Sequence, residues 1–139
     1  MVAILIVTHG DLSKALLSSI ALVMGEPPMT EALGLYHGDD VEELKTRVRE
    51  SILRLNQESG GEGVLVLVDL LGGSPSNATA KCINELKDEI KVECITGANL
   101  PILVEAVANH ANMEINDLKR TCLSAGSESI INLREKLMI

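Results

Sequence analysis

His9 and Asp69 each end an uninterrupted apolar run, and their side chains are the types that histidine-based group transfer requires. Residues 2–7 are all apolar and lead into Thr8-His9-Gly10, while residues 64–68 lead into Asp69. A neutral imidazole is a nucleophile when one ring nitrogen carries the proton and the other keeps its lone pair. A carboxylate at one nitrogen fixes that choice. The sequence therefore predicts that Asp69 orients His9 and leaves one ring nitrogen free to react.

A glycine-rich turn follows Asp69 and has the composition of an anion-binding loop. Its sequence is Leu70-Leu71-Gly72-Gly73-Ser74-Pro75. Gly72 and Gly73 allow the backbone to approach a bound group, and the Ser74 hydroxyl can donate to an anionic oxygen. Ser74-Pro75 also predicts a helix start with serine as the cap, and helix amino ends favour anions. Each feature alone has an ordinary structural explanation as a turn or a cap, so only the combination predicts a phosphate site.

The apolar pattern alternates between short strands and amphipathic helices along the whole chain. Strands are predicted at residues 2–7, 31–36, 64–68 and 90–94, with a last helix capped by Asn116 and ended by Gly126. Such alternation implies a parallel sheet with right-handed crossovers, so we predict a three-layer α/β sandwich of strand order 2-1-3-4. Strands one and three then flank the switch point, where loops face one crevice. Residues 130–131 fit either a strand or a helix.

Composition narrows the possible partners and location. A chain of 139 residues fits one domain, residues 1–139. The net charge of −8 argues against nucleic acid and anionic membranes, and the lone aromatic, Tyr36, leaves no stacking platform. The apolar start is too short for a signal peptide or a membrane span, so we expect a cytoplasmic protein without direct membrane insertion. Cys82, Cys94 and Cys122 are expected to be buried thiols.

Three motifs together resemble the enzyme IIA domain of the mannose-type phosphotransferase system, over nearly the whole chain. They are Thr8-His9-Gly10; Val68-Asp69 with Gly72-Gly73-Ser74-Pro75 and Asn77; and Gly97-Ala98-Asn99-Leu100-Pro101 with Glu105. The resemblance implies a phosphotransferase with a phosphohistidine intermediate and no cofactor. His9 would accept a phosphoryl group on Nε2 from the phosphohistidine of the carrier protein HPr and pass it to a mannose-type enzyme IIB. The membrane subunits IIC and IID would lie one step further on.

The resemblance also assigns supporting roles and an assembly. Phosphate binding would fall to Ser74, Gly73 and Thr8, with Gly10, Gly72 and Asn99 in support. The family is dimeric, with an antiparallel C-terminal strand exchanged between subunits, and residues 130–131 could belong to that strand. Because the chain ends at Ile139, we expect enzyme IIB to be a separate polypeptide. Asp11 departs from the family pattern, which often has a neutral or bulky residue beside the anion site. Its carboxylate would either point away as a helix cap or slow transfer.

Other functions fit the residues less well. A related enzyme IIA-like subunit feeds phosphate to dihydroxyacetone kinase, but the full Gly72-Gly73-Ser74-Pro75-x-Asn77 pattern favours the sugar-transport branch. A flavodoxin or receiver domain would need stacking aromatics or an acidic cluster after strand one. A metal-dependent hydrolase would need more ligands than His9 and Asp69, and no metal site is predicted. His37 and His110 are expected to be ordinary surface or capping residues.

Overall fold

A parallel four-stranded sheet forms the middle layer of the fold. The computed structural model describes all residues from 1 to 139. The strands are β1 (Ala3–His9), β2 (Thr30–Leu35), β3 (Val64–Val68) and β4 (Val92–Ile95). Their order across the sheet is β2-β1-β3-β4, which confirms the predicted order. Val7 in β1 is in register with Leu33 of β2 and Val68 of β3, so the carboxyl ends of all three strands share one edge.

Helices cover both faces of this sheet, as the alternation of strands and helices predicts. They are α1 (Leu12–Met24), α2 (Val41–Glu58), α3 (Ser74–Leu86), α4 (Leu100–Asn109), α5 (Ile115–Glu128) and α6 (Leu133–Leu137). Ile4 and Ile6 of β1 pack in one buried cluster with residues of α1, α4 and α5. Ala3, Leu5 and Val7 pack in a second cluster with α2 and α3. Because successive strand residues point to opposite faces, β1 and β3 are buried on both sides and contain almost only aliphatic residues.

The C-terminal segment differs from the prediction of a fifth, antiparallel strand. Within this chain Leu133–Leu137 forms the short helix α6, and the sheet is entirely parallel. The Asn132 side chain accepts a hydrogen bond from the Glu135 amide, and Met138 ends the helix in the left-handed conformation. Local capping thus favours a helical turn in this segment.

Three helix boundaries also differ from those expected. Gly73, not Ser74, is the N-cap of α3, and the Glu114 side chain, not that of Asn116, caps α5. Gly126 lies inside α5 because a Cβ there would come within 2.5 Å of the Ile102 side chain, so glycine allows close packing on α4. Tertiary packing therefore explains why glycine occurs inside α5, where the sequence predicts that it ends the helix.

His110 occupies the C-cap of α4, which agrees with the capping alternative of the prediction, but it is buried and not at the surface. Its carbonyl accepts a hydrogen bond from the Val2 amide at 2.9 Å, and its ring Nδ1 donates to the Val2 carbonyl, also at 2.9 Å. Burial disfavours the imidazolium form and lowers the pKa of His110 below its ordinary value of 6.5, although the Val2 carbonyl partly opposes this. The neutral ring thereby fastens the start of β1 to the end of α4.

The lowered pKa of His110 makes the fold sensitive to mild acid. Below pH 6.5 the unfolded chain binds a proton at this ring that the folded chain resists, so stability should fall as the pH drops from about 6.5. We compare the free energy of unfolding in urea at about pH 7.5 and about pH 5.5, which lie on either side of the ordinary pKa of histidine. The decrease between the two pH values should be smaller in His110→Gln than in the wild type. His37→Gln is the matched control, since the His37 ring is exposed. Equal losses in wild type and His110→Gln would contradict this assignment.

Candidate active site

His9 and Asp69 form the hydrogen-bonded pair that the sequence predicts. The ends of β1 and β3 are adjacent, and Asp69 Oδ2 lies 2.8 Å from His9 Nδ1. The same oxygen accepts the backbone N–H of His9 at 2.9 Å, so one carboxylate oxygen fixes both the strand end and the ring. The His9 side chain is 46% exposed, whereas that of Asp69 is 13% exposed. The pair therefore has a covered orienting group and an accessible imidazole.

The environment keeps Asp69 ionised. Burial alone would raise its pKa, but the hydrogen bonds from the backbone and ring of His9 outweigh this and hold the pKa of Asp69 below its ordinary value of 3.8. A carboxylate at Nδ1 can only accept, so Nδ1 is the donor in this hydrogen bond, and in the neutral ring the lone pair is then on Nε2. The second carboxylate oxygen, Oδ1, is buried without a hydrogen-bond partner. The charge of Asp69 is thus directed at His9 alone.

Gly73 lies against the Cε1–Nε2 edge of the His9 imidazole. A Cβ at this position would lie 2.7 Å from His9 Cε1 and 3.3 Å from Nε2, so any side chain would displace the ring. Gly73 is also the N-cap of α3 and ends the loop that begins at Asp69. The absence of a side chain therefore brings the amino end of α3 into contact with His9.

The remaining residues of the glycine-rich loop shape the turn. Gly72 has φ +83°, a conformation that favours glycine, and its carbonyl accepts from Asn77 Nδ2 at 3.4 Å. Ser74 is the first residue of α3, and its half-buried side chain makes no hydrogen bond within the chain. Its hydroxyl is thus free to donate to an anion at the helix amino end, where unpaired N–H groups also point.

Thr8 has a different position from the one expected of a phosphate ligand. Its side chain is fully buried, and Oγ1 accepts a hydrogen bond from the Ser13 amide at 2.8 Å. Ser13 lies in the first turn of α1, so Thr8 satisfies one of the unpaired donors of that helix. The structure assigns Thr8 to the junction between β1 and α1.

Gly10 and Asn99 lie in two loops whose backbone hydrogen bonds shape the surroundings of His9 and Asp69. Gly10 has φ +55° and donates to the Leu35 carbonyl at 2.7 Å, which turns the chain from β1 into α1. Asn99 caps α4 by accepting from the Ile102 amide, and the preceding Gly97 amide donates to the Asp69 carbonyl at 3.2 Å. The loop after β4 therefore supports Asp69, while the Asn99 side chain serves its own helix.

Asp11 and Tyr36 form a contact that sequence reasoning missed. Asp11 is the N-cap of α1 but its side chain makes no capping bond; instead Oδ1 accepts the Tyr36 hydroxyl at 2.6 Å. The signal was available in principle, since a polar aromatic residue directly after β2 must lie at the same sheet edge as His9. The sequence predicts Asp11 only as a helix cap or as a charge that slows transfer.

No enclosed cavity surrounds His9. The chain has five surface cavities, and all are lined by other residues. No group of three or more His, Cys, Asp or Glu side chains is arranged to hold a metal ion. None of the helices combines the length and apolar character needed to cross a bilayer. The site is an open surface around one histidine.

Comparison with known proteins assigns the chain to a family. Residues 3–123 match the family model described as the fructose IIA component of the phosphotransferase system, which includes β1, β3 and both loops at His9. The chain belongs to this enzyme IIA family. Members transfer phosphoryl groups during sugar uptake through a phosphohistidine intermediate, so this enzyme IIA is a phosphotransferase.

Individual relatives agree with this assignment. The fructose-specific EIIA component of Bacillus subtilis (strain 168) is 29% identical over 93% of this chain and 84% of its own length. The mannose-specific EIIAB component of Escherichia coli (strain K12) is 30% identical over 97% of this chain, but the chain spans only 40% of that longer protein. A crystal structure of EIIA from Streptococcus agalactiae superposes with a TM-score of 0.88 at 27% identity, covering 97% of this enzyme IIA and 99% of the other chain.

Proposed function

We propose that His9 of this enzyme IIA is the phosphorylated residue, that phospho-HPr is its donor, and that a mannose-type enzyme IIB is its acceptor. The observation that carries the proposal is an imidazole whose Nδ1 is held by the covered Asp69 while its other edge is open to solvent, with no cavity around it. A small substrate would need a pocket, whereas another protein can present its own phosphohistidine to an open surface. The site therefore suits transfer between proteins.

The transfer follows from the tautomer of His9. Nε2 attacks the phosphorus of the donor phosphohistidine, the new P–N bond forms, and the P–N bond to the donor ring breaks, returning its electron pair to that ring. Positive charge develops on the His9 ring, and the ionised Asp69 stabilises it through the Nδ1 proton. The Ser74 hydroxyl and the amino end of α3 hold the phosphoryl oxygens. The reverse steps deliver the group to the acceptor.

Exposed apolar side chains around the site support a protein donor and acceptor. Leu70 and Leu71 lie in the loop between Asp69 and Gly73 and are 59% and 79% exposed. Leu12, directly after Asp11, is also exposed. Leucines in such positions are typical of docking surfaces, and the net charge of −8 favours a basic partner. We propose that both partners bind this surface in the cytoplasm, with IIC and IID acting after enzyme IIB.

The C-terminal segment supports the predicted homodimer. Residues 130–139 are exposed throughout, and Ile130 and Met138 have most of their surface in solvent. Such an apolar segment gains by pairing with a second chain. Sedimentation equilibrium should give twice the mass of 14.9 kDa, and a monomer at all concentrations would contradict the dimer.

The test of the function is an intact-mass measurement. The protein is incubated with phosphoenolpyruvate, enzyme I and HPr, and should gain one phosphoryl group that is lost in acid. His37→Ala should gain the same group, and His9→Ala should not. No adduct in the wild type, or an adduct that survives His9→Ala, would overturn the proposal.

A second incubation identifies the acceptor. Phosphorylated protein is separated from HPr and mixed with a mannose-type enzyme IIB or with dihydroxyacetone kinase. Loss of the adduct to enzyme IIB is the expected result. If the phosphoryl group is lost only when dihydroxyacetone kinase is added, the kinase and not enzyme IIB is the acceptor.

A further inference from the structure

The chain has one aromatic side chain, and it is hydrogen-bonded beside the reactive histidine. The Tyr36 hydroxyl donates to Asp11 Oδ1 at 2.6 Å. Asp11 is free for this contact because Thr8 already satisfies the Ser13 amide of α1, the donor that an N-cap carboxylate would otherwise serve. We refer to this Tyr36–Asp11 hydrogen bond as the clasp.

The backbone around Tyr36 fixes the position of its ring beside Asp11. A Cβ on Gly34 would lie 2.4 Å from the Gly10 carbonyl oxygen and 3.0 Å from two Tyr36 ring atoms, so the ring lies across a position that must lack a side chain. The Tyr36 amide donates to Asp39 Oδ2 at 2.8 Å, which fixes the turn after β2. Lys14 Nζ lies 5.2 Å from the ring centroid and covers the ring.

The sheet order determines which side of His9 the clasp occupies. β2 lies on one side of β1 and β3 on the other. Asp69 and Gly73, which contact the imidazole, follow β3, whereas Gly34 and Tyr36 belong to the β2 side. The clasp therefore holds the Asp11 side chain on the β2 side of β1. The contacts of Asp69 and Gly73 with the His9 ring are on the opposite, β3 side.

We propose that Tyr36 is a positioning residue, which holds the Asp11 carboxylate on the β2 side of His9 and so keeps its negative charge off the incoming phosphoryl group. This inference rests on the proposed function of His9. Asp11 is two residues from His9 in the same loop, and a phosphoryl group carries up to two negative charges. Without the clasp, the Asp11 carboxylate is no longer held on the β2 side, and it can turn toward those oxygens and repel them through like charge.

The clasp itself can be observed without any phosphoryl donor. Tyr36 is the sole source of fluorescence, because the chain has no Trp and no Phe, and a phenol that donates to a carboxylate emits weakly. Asp11→Ala, which removes the acceptor, should therefore increase the emission of the folded protein, while His37→Ala, which alters the exposed neighbour of Tyr36, should not. Unchanged emission in Asp11→Ala would show that the clasp does not exist in solution.

Its effect on His9 is measured with phosphoramidate, a small anionic donor from which the ring nitrogen displaces ammonia as the P–N bond breaks. Tyr36→Phe should be phosphorylated about tenfold more slowly than the wild type, corresponding to about 1.4 kcal/mol. Tyr36→Phe/Asp11→Asn should regain the wild-type rate, because the released side chain no longer carries charge. The Tyr36→Phe defect should also shrink at high salt, since screening weakens repulsion. His37→Ala should react at the wild-type rate.

The results separate this inference from the function on which it rests. If the wild-type protein shows the weak Tyr36 fluorescence of the clasp but takes up no phosphate on His9, the proposed function is overturned. Normal phosphorylation of the wild type with an equally fast Tyr36→Phe overturns the positioning role. A slow Tyr36→Phe that Asp11→Asn fails to rescue also overturns it, because the defect would then not arise from the Asp11 charge.

Discussion

Asp69→Asn should leave the protein folded but slow phosphorylation of His9 by HPr about 100-fold. Both donors that reach this side chain, the His9 amide and ring Nδ1, point at the single oxygen Oδ2. An asparagine that presents its carbonyl oxygen there satisfies both and preserves the geometry. It nevertheless lacks the charge that stabilises the cationic ring, and it places an amide group where Oδ1 is buried without a partner.

The rate is measured by quenched flow with phosphorylated HPr, and folding by circular dichroism. Asp117→Asn, an exposed position on α5, removes the same charge far from His9 and should react at the wild-type rate. Transfer by Asp69→Asn at the wild-type rate would mean that Asp69 neither orients nor stabilises the ring.

Gly73→Ala should reduce the same rate by at least tenfold, because its methyl group occupies the space of the imidazole. The added carbon would lie 2.7 Å from His9 Cε1, a distance that requires the ring or the loop to move. Moving the ring breaks its hydrogen bond to Asp69, and a shift of about 1 Å at a reacting group can cost up to about 100-fold in rate. The φ of Gly73 is −79°, so alanine adds no backbone strain, and the effect reports on contact with His9.

Gly126→Ala is the matched control for this substitution. Its methyl group would lie 2.5 Å from the Ile102 side chain, an equally close approach in the packing of α5 on α4. We expect Gly126→Ala to lower the unfolding midpoint while transfer remains at the wild-type rate. If both alanine variants transfer normally, Gly73 does not shape the site.

The proximity of His9 and Asp69 could be predicted from the sequence because its determinants are local and strong. The aliphatic runs before His9 and Asp69 specify two strands buried on both faces, and right-handed crossovers leave few ways to order them. Once β1 and β3 are neighbours, their next residues must meet. Chain order thus brings a histidine and an aspartate 60 positions apart to 2.8 Å.

The roles of the polar residues around the pair were harder to predict because several could satisfy the same donors. Thr8, Asp11 and Ser74 all have side chains that can cap a helix, and the hydroxyls of Thr8 and Ser74 can also donate to an anion. The choice depends on distances across elements: Thr8 reaches Ser13 from the strand, which leaves Asp11 to bind Tyr36. Sequence spacing along one chain segment does not contain that information.

The C-terminal segment shows a different limit. Residues 130–131 are apolar enough for a strand, but no strand of the sheet pairs with them. The Asn132 side chain instead caps the turn that becomes α6. The apolar pattern of a segment specifies neither its pairing partner nor which local cap forms.

Strand β1 is held at both ends, at Val2 by His110 and at His9 by Asp69. The His9 imidazole is therefore attached to an inner strand that is fixed at both ends, so it cannot move from one partner protein to the other. In the proposed relay, donor and acceptor must each come to the same fixed point, so only one can occupy it at a time. Transfer would then follow ping-pong kinetics, and spent HPr would compete with enzyme IIB for the phosphorylated protein.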